Sequence, residues 1–195
     1  MVEAFRDCLH VAQYMRGFSY SWCICGGWAI DLFINQVSRS HKDVDIAIWR
    51  KDQIALRHYL VRQGWKLEKA IEGQLFPWIE TEWLDLPVHT IWCHHPDLQP
   101  EFIEILLNEV NEHNFLFRRD LSISHALEDA IVPSASGIPI LAPEIVLLYK
   151  AKTASDPANQ ADFEGILPHL DITQRNWLRS ALIKAHPGHH WLDSL

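Results

Sequence analysis

The sequence predicts an α+β protein: a mixed sheet flanked by helices, followed by a helical C-terminal region. Three observations carry this expectation. Segments of helical and strand period alternate as far as residue 108, and a Gly-Gly pair joins the first strand to the next helix. Beyond the proline-rich stretch Pro133 to Pro143, only helical period remains.

From Phe5, the apolar residues Cys8, Leu9, Ala12 and Met15 recur at helical spacing, and Gly17 provides a stop. Tyr20 to Cys25 alternates as a strand does and ends at Gly26-Gly27. After the glycines, Ile30, Phe33, Ile34 and Val37 form the apolar stripe of a short helix. The polar loop Ser38 to Lys42 leads into a strand that carries Asp43 and Asp45 and runs to Trp49. Asp52 caps a helix containing Leu56, Tyr59 and Leu60, which Gly64 ends. Residues 65–71, 88–93 and 101–108 read as three more strands, and Arg118-Arg119-Asp120 opens a less regular stretch. Helices are then expected over 143–152, over 157–167 with Asp156 as cap and Pro157 at the first position, and over 174–185 after Thr173. The prolines mark the best domain boundary, between residues 1–132 and a helical region 133–195 packed on them.

The composition narrows the function. A chain of 195 residues, 48% hydrophobic, can bury a full core, and no segment approaches the roughly 20 apolar residues of a membrane span. The start MVEAFRDCLH lacks the basic and apolar runs of a secretory signal, so a cytoplasmic location is expected. Cys8, Cys23, Cys25 and Cys93 read as reduced thiols. A net charge of −8 without basic runs disfavours nucleic acid and suits a small cationic or neutral substrate.

Asp43 and Asp45 share one face of their strand by period two. Two adjacent carboxylates repel, and a fold accepts them most readily around a cation; hard oxygen ligands suit magnesium. Gly26 and Gly27 let backbone N–H groups approach phosphate at a helix N-terminus. A plain tight turn is the alternative for the pair, as a solvated helix residue is for Asp31 and a surface arginine for Arg39. In the functional reading, Arg39 grips terminal phosphate oxygens and His41 orients a carboxylate. Glu104 is the acid flanked by apolar strand residues on both sides, which makes it the candidate third ligand or general base, against a buried ion pair.

The segments Gly26-Gly27-Trp28-Ala29-Ile30-Asp31 and Ser38-Arg39-Ser40-His41-Lys42-Asp43-Val44-Asp45-Ile46 closely resemble the signature of aminoglycoside 2''-adenylyltransferases and lincosamide nucleotidyltransferases, in the polymerase-beta superfamily. The resemblance implies a small mixed sheet of nucleotidyltransferase type. It also implies that Asp43 and Asp45 hold Mg2+ with the phosphates of ATP, and that a later carboxylate, here Glu104, completes the site. The implied activity moves AMP from ATP to a hydroxyl of a small, aminoglycoside-like acceptor and releases pyrophosphate. The chain departs from the family at Thr153-Ala154-Ser155-Asp156, where basic residues are usual, so phosphate contact there falls to Lys150 or Lys152 or is absent. Trp78, Trp83 and Trp92 match no substrate pattern, so the acceptor stays open. So do two alternatives: a tRNA or protein acceptor, and a non-catalytic module binding nucleotide, or zinc through Cys23, Cys25, Cys93, His94 and His95.

Overall fold

The computed structural model describes residues 4–195; the first three residues of the stretch read for a leader lie outside it. Helix α1 (Arg6–Tyr14) passes through a 3-10 turn to strand β1 (Trp22–Ile24), which is followed by helix α2 (Gly26–Ile34), strand β2 (Val44–Trp49) and helix α3 (Gln53–Arg62). Strands β3 (Lys66–Ile71), β4 (Gln74–Pro77), β5 (Thr90–His94), β6 (Phe102–Val110), β7 (Asn114–Leu116) and β8 (Ser124–Ala126) come next. A hairpin of β9 (Ile131–Pro133) and β10 (Pro139–Leu141) precedes helices α4 (Pro143–Ala151), α5 (Pro157–Ile166) and α6 (Ile172–Ala185). Among the described residues, no helix is long and apolar enough to cross a membrane.

One mixed sheet contains all ten of these strands, ordered β4-β3-β5-β6-β2-β1-β10-β9, with β7 pairing β6 and β8 pairing β7. The pairs β2·β6 and β1·β10 are parallel. The α+β fold read from the sequence is therefore present, with a larger sheet than periodicity reveals. Of the five strands that periodicity misses, β7 to β10 have three residues each and β4 has four, too few to display an alternation.

The period-two alternation sorts the faces. Val44, Ile46 and Ile48 of β2, Ile103, Ile105 and Leu107 of β6, and Ile91 and Cys93 of β5 are at most 2% exposed. The opposite face carries Asp45 and Ala47, set by the register against Glu104 and Leu106. Helix α4 lies over part of this second face, where Tyr149 donates its hydroxyl hydrogen bond to Asn108 Oδ1 at 3.2 Å. Toward β5 the same face is open: Trp92, directly opposite Glu104, is 37% exposed.

Three local differences from the sequence reading have physical causes. Helix α2 begins at Gly26 itself, and Gly27 to Leu32 are all buried, because the helix is apolar around most of its circumference and packs against α4 and α5. Asp171, not Thr173, caps α6 through a capping box with Gln174, so the helix starts at Ile172. The proline-rich stretch folds into the sheet: Pro133 pairs with Pro139 across the β9–β10 hairpin, and Ile140 pairs with Ile24 of β1. Proline is accepted there because β9 is an edge strand that needs fewer donors. Helical structure therefore starts at Pro143.

At the end of β2, buried Arg50 ties three segments together. Its Nε bonds the Glu109 carboxylate, and Nη1 donates to the carbonyls of Leu84 (2.7 Å) and Val88 (2.8 Å). Gln53 of α3 completes the clasp, accepting from Leu84 N at 2.8 Å. Replacing Arg50 with Ala leaves Glu109 and two carbonyls without their cation. Urea unfolding of this variant is expected to show a loss of about 3 kcal/mol; a loss within the error of the parent would mean that the clasp is not needed for the fold.

Candidate active site

The parallel ladder between β2 and β6 places Asp45 beside Glu104, and Asp43 lies one residue ahead of β2. One carboxylate oxygen from each of the three residues lies within 4.8 Å of the others, all half-buried. Burial pushes the Asp45 carboxyl well up, and Glu104 and Asp43 push it further. Glu104 is also raised, by burial and then by Asp43, although Thr90 offers it a hydrogen bond. No lysine or arginine among the described residues forms an ion pair with any of the three. Acids held together against their own repulsion, with only oxygen donors, make a site suited to a hard divalent cation.

Gly26 makes this packing possible. Its φ of +64° is a left-handed conformation that favours glycine, and a Cβ there would lie 2.0 Å from Asp45 Oδ2. At Gly27, a Cβ would meet Arg39 Nη2 at 2.3 Å and the His41 ring at 2.6 Å. The pair thus allows three side chains, Asp45, Arg39 and His41, to close on the start of α2.

The loop before β2 is organised by two buried acids. Asp31 is 0% exposed; it accepts from Ser38 Oγ at 2.6 Å and holds His41 Nε2 at 2.6 Å. His41 is itself buried and packs on Trp28, with ring centroids 4.2 Å apart. Asp31 is enclosed beneath the loop, and His41 orients a carboxylate, that of Asp31, because buried polar groups must satisfy each other. Arg39 makes a bidentate pair with Asp162 of α5, both contacts 2.9 Å, rather than pointing free to a phosphate. Lys150 shares Asp162 at 2.7 Å and donates to Asn159 Oδ1 at 2.9 Å. Burial alone would raise Asp162, but its hydrogen bonds to Arg39 and Lys150 hold it below the usual carboxylate range.

Beside Gly26 opens a cleft of about 210 Å³ between the sheet and α4, with Leu106 and Asn108 on its floor, Tyr149 and Lys150 on its wall and Arg118 and Arg119 at its edge. The sequence reading missed Asp162 and Asn159 as parts of this neighbourhood, and treated Arg118-Arg119 as irregular chain. Only the buried position of Asp162 beside Phe163 in a helical segment hints at its role, and that needs the helix packing to be seen. The zinc alternative does not assemble. All four cysteines are buried free thiols, and among the described residues only Asp43, Asp45 and Glu104 bring three metal-ligating groups together.

The model of the aminoglycoside-2''-adenylyltransferase family matches residues 7–138. The chain belongs to this family. It is accordingly a nucleotidyltransferase, and the chemistry of the family is nucleotidyl transfer to antibiotic hydroxyls. No curated protein matches the chain significantly. Among solved structures, the fold is similar to the antibiotic-resistance factor ANT(2'')-Ia in solution, at 15% identity and TM-score 0.57, over 94% of this chain and 91% of that one. It is similar to the lincosamide antibiotic adenylyltransferase LnuA with lincomycin bound, at 15% identity and TM-score 0.57, over 82% and 93% of the two chains. An antigenic nucleotidyltransferase-like protein from Paracoccidioides brasiliensis shares 16% identity and TM-score 0.50 over 94% and 88%.

Because the folded chain holds the Asp45 proton more tightly than the unfolded chain does, stability without metal is expected to fall as pH rises from the ordinary carboxylate range through the raised value. Asp45→Asn removes that loss. In EDTA its melting temperature should exceed the parent's at pH 8 and converge with it near pH 4. A variant that melts well below the parent at pH 8 would contradict the picture of acids held against repulsion.

Proposed function

We propose that this chain is a Mg2+-dependent nucleotidyltransferase that moves AMP from ATP to a hydroxyl of a small acceptor of the aminoglycoside or lincosamide type. The observation that carries this reading is the cluster of Asp43, Asp45 and Glu104, whose oxygens converge within 4.8 Å beside the N-terminus of α2. These three carboxylates fit a divalent ion by donor type and by their need for a positive charge. An ion held there supplies charge neutralisation around the α-phosphorus and its leaving oxygen.

The chain's own residues do the rest. Glu104, raised by burial, accepts the proton of the acceptor hydroxyl through a carboxylate oxygen. The acceptor oxygen then bonds to the α-phosphorus, the bond to the β-phosphate oxygen breaks, and pyrophosphate leaves. Gly26 lets the Asp45 carboxylate come up against the start of α2, where backbone N–H groups can face phosphate. Asp31, Ser38 and His41 act as positioning residues that hold the loop bearing Asp43, and Arg39 and Lys150 hold α5 against it through Asp162. The acceptor enters from the open part of the sheet face, where Trp92 and Phe102 expose 37% and 46% of their surfaces beside Glu104. Such aromatic faces suit a sugar ring, and the nearby acids suit an amino sugar.

The test is release of pyrophosphate when the protein is mixed with ATP, Mg2+ and a panel of aminoglycosides and lincosamides. Asp43→Asn and Asp45→Asn are each expected to lower turnover by about a thousandfold, the scale of losing a principal electrostatic stabiliser. Glu104→Gln should lose turnover comparably and still bind ATP in calorimetry. Full turnover by Asp45→Asn would defeat the reading.

A further inference from the structure

We infer that Arg118 and Arg119 are the seat of the donor nucleotide's phosphates, in the part of the cleft closed by α4. This rests on the proposed function above and assigns a task that the sequence placed on Arg39. That arginine is committed elsewhere, its Nε and Nη2 both bound to the buried carboxylate of Asp162. Lys150, the other expected contact, spends its ammonium on Asp162 and Asn159.

Arg118 and Arg119 are differently placed. They follow β7, two consecutive cations at the edge of the cleft whose lining includes Gly26. Neither makes an ion pair with a carboxylate among the described residues. Arg119 Nη1 donates to the Tyr149 carbonyl at 2.8 Å, and the Arg118 guanidinium makes no hydrogen bond among those residues. Both guanidiniums lie 5.2 Å from the centre of the Tyr149 ring. The ring face compensates their charge only in part, and most of their donors stay unspent.

Arg118 is half-buried and Arg119 beside it is exposed, and two neighbouring like charges favour an opposite one between them. Burial lowers the pKa of Arg118, which expresses the cost of its unpaired charge. Gly26 lines the same cleft as the arginines, and a Cβ on it would lie 2.0 Å from Asp45 Oδ2, so the three acids, which pose the mirror-image problem, adjoin that cleft through Gly26 rather than lining it. A metal-bound triphosphate answers both, with its metal at the acids and its terminal oxygens at the arginines. The planar fork of a guanidinium matches a phosphate bidentately, and two forks can engage the β- and γ-phosphates without help from Arg39.

Calorimetry with three probes tests the assignment: ATP, inorganic tripolyphosphate and adenosine, each with Mg2+ and the full chain. Arg118→Gln and Arg119→Gln are each expected to weaken ATP and tripolyphosphate by about tenfold or more and to leave adenosine unchanged, with Arg118→Lys intermediate, since a point charge replaces only part of a fork. If Arg119→Gln melts early through loss of its bond to Tyr149, Arg118→Gln carries the test alone. Parent-like affinity of Arg118→Gln for tripolyphosphate overturns the inference while the proposed function stands. Failure of the parent to bind either ATP or tripolyphosphate removes the proposed function, and the inference with it.

Discussion

The repulsion among Asp43, Asp45 and Glu104 is the constraint around which the site is built. It exists because β2 and β6 run parallel in a register that sets Asp45 against Glu104, and that register is locked by the apolar residues of the opposite face. A slip of one residue would turn Ile46 and Ile105 toward the cleft and both acids into the core, so the burial of one face enforces the crowding of charge on the other. Gly26 belongs to the same constraint. It occupies a left-handed conformation with Asp45 pressed against its α-carbon, where any side chain would drive the acid away.

Around that cluster, two buried acids are each answered by named partners. Asp31 is satisfied by Ser38 and His41, and Asp162 by Arg39 and Lys150. The two arrangements differ in reach. Asp31 links residues of one local segment, whereas Asp162 brings a helix from the C-terminal region to the loop just ahead of the aspartates. The carboxylates of the metal-type cluster are the exception, since no cationic side chain pairs with them. Arg118 and Arg119, which line the cleft beside Gly26, are likewise without an ion-paired carboxylate among the described residues. Two adjacent clusters of opposite sign, neither ion-paired among the described residues, are the places where a ligand's charges belong.

How much of this was readable from the sequence depends on whether the signal was local. The strand carrying Asp43 and Asp45, the glycine pair and the order of the longer elements follow from periodicity within a few residues, and the structure contains them. Glu104 was visible because a lone acid among apolar strand residues is costly wherever the strand packs. The partners of Asp31 and Arg39 are not readable, and for His41 the sequence shows only that the partner is a carboxylate. Each depends on a partner chosen in three dimensions, and for Arg39 that partner lies 123 residues away. The short strands β7 to β10 escaped for a related reason: with three residues each, they are defined by their neighbours in the sheet and carry almost no pattern of their own.

The hairpin β9–β10 shows what that blindness conceals. From sequence, the prolines at 133 and 139 read as a seam between two units. In the fold, β10 instead lies beside β1, the strand that ends at the glycine pair, and the chain passes from there into α4. The C-terminal helices are thereby anchored to the same part of the sheet as Gly26 and Asp45. Helix α4 brings Tyr149 and Lys150 to the cleft wall, and α5 brings Asp162 to Arg39. If the C-terminal region were an appendage joined by a flexible linker, each contact would have to overcome the entropy of docking it. Continuous pairing from β1 through β10 into α4 meets most of that ordering cost within the sheet, so one ion-paired carboxylate can hold α5 in register with the site.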